Sequence, residues 1–91
     1  MYTRKTIIIN KTGIHARPAT DFVKLAGTFS SDIIIKNLTK NTEGNAKSII
    51  SILVMELTKG SEIELSAEGI DEKEAVDKLI DLVDSGFCET D

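Results

Sequence analysis

The chain has 91 residues, a formal net charge of −4, one histidine and one cysteine, which bounds it to a single small domain over residues 1–91 with a modest core. Its 41% apolar residues and mixed charges favour a folded chain, and the acid excess argues against direct nucleic-acid binding. The single cysteine rules out an internal disulfide, one histidine with one cysteine leaves no zinc cluster, and the absence of a membrane-length apolar run or a secretion leader sets a cytoplasmic location as the expectation.

Thr3 to Asn10 contains Ile7-Ile8-Ile9, a β-branched run suited to a strand, although three isoleucines in a row do not say which face is buried. Asn10-Lys11-Thr12-Gly13 is turn chemistry. Pro18 fits the first turn of a helix, and Ala19, Phe22, Val23 and Ala26 fall at helical spacing. The first helix therefore runs from Ala16 or Arg17 to Ala26, with Gly27 as its stop. His15 stands immediately ahead of it.

That position suits a phosphoryl group. The first N–H groups of a helix lack internal partners, and the macrodipole adds positive charge there. The same field disfavours a protonated imidazole, which keeps His15 nucleophilic near neutral pH. Arg17 adds a guanidinium able to fork onto phosphate oxygens. Read alone, a histidine at a helix start is more often structural or merely exposed than functional.

Asp32 to about Leu38 reads as a second strand, built on Ile33, Ile34 and Ile35. Thr39 to Asn45 is polar and turn-rich, compatible with a short edge strand or an irregular hairpin. From Lys47 to Leu57 the chain is densely apolar and fits either a buried strand or a short helix, with Ser48 as a good N-cap for the latter. One face of a short helix cannot hide Ile49, Ile50, Ile52, Leu53, Val54, Met55 and Leu57 together, so either some stay exposed as a docking patch or all are core. Ser61 to Glu68 alternates cleanly, with Ile63, Leu65 and Ala67 on one face. Asp71 and Glu74 suggest a capping box for a last helix, whose stripe is Ala75, Val76, Leu79, Leu82 and Val83. Asp77, Lys78, Asp81 and Asp84 read as its solvated face. Gly86 stops it, and residues 87–91 form a tail. One-sided strands need cover, which places the helices on one face of an antiparallel sheet.

Gly13-Ile14-His15-Ala16-Arg17-Pro18-Ala19 resembles the active-site signature of the HPr family, the histidine-containing phosphocarriers of the bacterial sugar phosphotransferase system. The resemblance spans essentially the whole chain. It implies a short helix after Ser48 and an α+β open-faced β-sandwich, its four-stranded antiparallel sheet in the order 1-4-2-3 covered on one face by three helices. It implies a covalent carrier rather than a turnover enzyme, without cofactor or metal. His15 would take the group on Nδ1 from phosphorylated enzyme I and pass it to IIA components. Arg17 would stabilise the phosphate, with Ala16 and Pro18 shaping the helix start. Partners would meet Thr20, Lys24, Lys47, Ile49, Ile50 and Leu53.

Lys47-Ser48-Ile49 matches a second site of the family, a serine phosphorylated by HPr kinase/phosphorylase in carbon catabolite regulation, with a catabolite-control transcription factor as a further partner. The alternatives are a helix cap alone, a non-relaying regulatory module, or a paralogue serving a nitrogen-type or dihydroxyacetone-kinase relay. Three departures bear on partner choice. The stretch between Leu38 and Lys47 is about two residues longer than usual, which predicts a distorted third strand. Ser51 stands where members have glycine or a basic residue, and Glu56 where they have glycine.

Overall fold

The computed structural model describes residues 1–11, 13–14 and 16–88, excluding the side chains of Ala16 and Cys88. The elements are β1 (Tyr2–Ile7), α1 (Ala16–Ala26), β2 (Asp32–Asn37), β3 (Thr42–Asn45), α2 (Ile49–Val54), β4 (Glu62–Glu68) and α3 (Glu72–Asp84), followed by one 3-10 turn at Gly86–Cys88. The sheet is antiparallel with order β1-β4-β2-β3. This is the open-faced α+β sandwich with three α-helices.

Strand alternation sets the two faces. Ile33 and Ile35 of β2 and Ile63, Leu65 and Ala67 of β4 are buried. Phe22 of α1, Ile52 of α2, and Val76, Leu79, Ile80 and Val83 of α3 complete the core. Ile80 belongs to the α3 stripe alongside the residues expected there, whereas Leu82 is only partly buried.

β1 ends at Ile7 rather than Asn10, yet its backbone pairing continues one step further. Ile8 N donates to Ser61 O at 2.9 Å and Gly60 N to Ile8 O at 2.8 Å. Alternation also resolves the isoleucine triplet: Ile8 is 1% exposed, Ile7 and Ile9 about half exposed.

β3 is a regular edge strand, not a distorted one, with four residue pairs to β2. Buried Asn37 closes the turn between β2 and β3. Its side-chain oxygen accepts from Thr39 N and Lys40 N, both at 3.1 Å, while its amide donates to Met55 O at 3.2 Å.

Three expectations about the last third of the chain are corrected. Asp71 stands at the N-cap of α3 but makes no side-chain cap bond. Its carboxylate instead accepts from Ser30 N at 2.8 Å, Ser31 N at 2.9 Å and the Ser31 hydroxyl, and these bonds hold its pKa below the usual carboxylate range, the Ser31 hydroxyl foremost. Glu72, not Glu74, reaches back to accept from Gly69 N at 3.2 Å. Asp77 and Asp84 are not simply solvated: Asp77 accepts from Tyr2 Oη at 2.9 Å, Arg4 at 3.0 Å and Lys73 at 2.8 Å, and Thr6 donates to Asp84. Tyr2, Arg4 and Thr6 pair with Ala67, Leu65 and Ile63, so they share the helix-covered face. This edge strand is therefore tied to α3 through polar contacts. Finally, Phe87 is no tail residue. The left-handed turn at Gly86 (φ +70) and Phe87 (φ +58) folds its ring back into the core, 6% exposed. Residues 89–91 lie outside the described residues.

Candidate functional site

The segment before α1 is built by close backbone approach. Gly13 adopts φ +69, and a Cβ there would fall on the Leu57 carbonyl oxygen and lie 2.8 Å from Thr58 Cα. Only glycine meets both demands. Ile14 N donates to Leu57 O at 2.7 Å, and Ile14 and Leu57 form an isolated antiparallel bridge. The start of the motif is thus stitched to the chain leaving α2. His15 lies outside the described residues.

α1 starts at Ala16, as the spacing predicts. Pro18 is buried in its first turn, where a missing N–H costs nothing. Arg17 is exposed in that turn, which contains no acidic residue. An anion at this end would meet a fixed cation and the positive end of an eleven-residue helix. Thr20 and Lys24 are exposed further along α1.

Ser48 is the N-cap of α2, and its side chain accepts from Ser51 N at 3.3 Å. Lys47 is committed to the fold, since its ammonium donates to Phe29 O at 2.8 Å. Of the two readings of the apolar run, the exposed one describes α2. Ile52 is fully buried, whereas Ile50 is 70% exposed, Val54 69%, Leu53 43% and Ile49 37%. Val54 joins Ile49, Ile50 and Leu53 on this exposed face; the sequence does not fix which side of so short a helix points outward. α1 packs against α2.

Glu56 follows α2 with φ +52, a backbone region that glycine occupies without strain. It is exposed, and its carboxylate lies 3.7 Å from Lys40 Nζ. This is the position at which the HPr resemblance expects glycine. Among the described residues, no group of three or more potential ligands could hold a metal, and no helix is long and apolar enough to cross a membrane.

The chain's relatives share this architecture. Residues 2–85 match the family described as "PTS HPr component phosphorylation site". The phosphocarrier protein NPr of Proteus mirabilis is 42% identical over 86 residues, covering 94% of each chain. The phosphocarrier protein HPr of Haemophilus influenzae is 40% identical over 83 residues, covering 91% of this chain and 95% of the relative. A crystal structure of HPr from Thermoanaerobacter tengcongensis superimposes with a TM-score of 0.93 at 46% identity, covering 99% of both chains. The chain belongs to the HPr family of phosphotransferase-system phosphocarriers. Membership supports a phosphocarrier role in the phosphotransferase system.

Proposed function

We propose that His15 accepts a phosphoryl group from phosphorylated enzyme I and passes it to a IIA component in the cytoplasm. The N–P bond of the donor breaks as the N–P bond on His15 forms, and the same exchange in the next step empties the carrier. What supports this reading is Arg17, an exposed cation in a first helical turn without acidic residues, two residues after the motif histidine. An anion is favoured there and a protonated imidazole disfavoured, so the neutral ring attacks and the phosphorylated ring is stabilised.

The exposed apolar face of α2, together with Thr20 and Lys24 of α1, is the surface we assign to both partners. A carrier must dock twice, and apolar contact around the charged group would exclude water during transfer. Relatives named NPr and HPr are nearly equally similar to this chain. Glu56 is the feature that favours a nitrogen-type or other specialised partner set over sugar uptake, because it adds a negative charge beside the docking face.

Incubation with phosphoenolpyruvate and enzyme I should add one acid-labile phosphate, read by intact mass, and His15→Ala should abolish it. Equal labelling of wild type and His15→Ala would refute the assignment. Regulation at Ser48 is a second reading, favoured by its place at the rim of the α2 face. Incubation with HPr kinase/phosphorylase and ATP tests it directly, since a regulatory Ser48 gains a phosphate that Ser48→Ala does not. Ser48→Asp should then weaken docking of enzyme I while binding of a catabolite-control transcription factor increases.

A further inference from the structure

The sequence marks Asn10 only as a turn residue, but the structure buries it. Asn10 is 5% exposed, and its side-chain amide donates to Gly13 O at 2.6 Å. Its own carbonyl accepts from Gly13 N at 3.1 Å. The turn 10–13 is therefore closed twice, once through the backbone and once through a side chain. Gly13 is held from the other side by Leu57 and Thr58, and the next residue, Ile14, bonds Leu57. Asn10 also lies beside Gly86, where an added Cβ would stand 3.8 Å from Asn10 Cβ. A buried amide costs free energy unless it is bonded, and an apolar side chain would fill such a site more cheaply. This amide is spent on the carbonyl two residues ahead of His15 in the chain.

We propose that Asn10 is a positioning residue for phosphoryl transfer, fixing the Gly13 carbonyl and with it the direction in which the chain enters His15. The proposal rests on the reading of His15 as phosphoacceptor. Small misplacements of a reacting group are costly, since rate depends on near-attack geometry. Removing the amide donor should therefore affect the transfer step more than docking, because the α2 face is built by other residues.

The experiment compares wild type, Asn10→Ala, Asn10→Asp and Ile63→Val. Asn10→Asp keeps the side-chain shape and removes the N–H donor. Ile63→Val is a control that loosens the core on β4 and leaves the Asn10–Gly13 bond in place. Each is read for single-turnover transfer from phosphorylated enzyme I and for the titration of His15 by NMR. For both Asn10 variants the saturated transfer rate should fall about tenfold, with the half-saturating enzyme I concentration unchanged and the His15 titration midpoint displaced. Ile63→Val, compared at the same fraction folded, should change neither. Wild-type transfer and titration in Asn10→Asp would overturn the proposal, as would an equal slowing in Ile63→Val. A wild type that enzyme I cannot label would instead remove the phosphocarrier reading, and the titration of His15 in Asn10→Ala, which adds no charge, would still decide whether Asn10 positions His15.

Discussion

α2 and α3 sit in the same helical layer and do opposite things with their apolar residues. α3 turns Ala75, Val76, Leu79, Ile80 and Val83 inward over thirteen residues, and its outer rim is paired with β1 through Asp77 and Asp84. α2 has six residues and buries only Ile52. It leaves two isoleucines, a leucine and a valine in solvent. A helix whose apolar residues serve only its own fold looks like α3. One that withholds them is incomplete until something docks, and the contrast separates the part of the molecule that supplies stability from the part that supplies contact.

The sharpest test is to damage each helix in turn. Leu79→Ala removes a fully buried side chain and should cost about 3 kcal/mol of unfolding free energy. Urea denaturation measures this, and docking of enzyme I should be unchanged where the variant is folded. Ile50→Asp should behave inversely. At 70% exposure its substitution leaves stability unaltered, while an anchor residue of a docking face costs about 2 kcal/mol of binding. Titration calorimetry with enzyme I would show it. Loss of stability without loss of docking in Ile50→Asp would erase the distinction between the helices.

The polar seam of α3 makes a smaller, pH-dependent contribution. Bonds from Lys73, then Tyr2 and Arg4, pull the Asp77 carboxyl from its ordinary 3.8 down to about 2. A depressed carboxylate stabilises the fold above its unfolded pKa, and that contribution disappears as pH falls toward the folded value. Wild type should therefore lose thermal stability between about pH 4 and pH 2, and Asp77→Asn should lose less over that interval while starting lower at pH 7. Parallel melting curves for the two proteins would remove Asp77 from the attachment of β1. The charges are partly solvated, so salt should weaken the effect.

This seam also marks the limit of what the sequence displays. Alternation in β4 and the α1 spacing are local patterns, and both elements form where those patterns predict. The glycine-to-alanine motif is local too, which is why Arg17 and Pro18 could be placed without coordinates. Asp77, by contrast, has partners some 75 residues away in β1, and its local i,i+4 partner Lys73 is what any exposed helical face could offer, so it does not announce the contact with β1. Asp71 departs from its local pattern for the same reason. A capping-box pattern is satisfied within a few residues, but its carboxylate is taken by Ser30 and Ser31 from another loop. Phe87 resembled a tail because burial beyond a helix stop depends on where a left-handed turn sends the chain.

Glu56 gives the finest version of the comparison. Its left-handed backbone puts a Cβ where L-residues are strained, and its ion pair with Lys40, at 3.7 Å, is solvent-exposed. Such a pair contributes little. Glu56→Gly should therefore stabilise the protein by about 1 kcal/mol or less, seen as a higher urea midpoint at constant slope. If it does, a strained and charged residue persists beside the α2 face at a cost to the fold. The selection acting there is then on the partner that meets this charge. A lower midpoint would mean that Lys40 holds Glu56 more firmly than its exposure implies, and that the end of α2 is built for stability in the way α3 is.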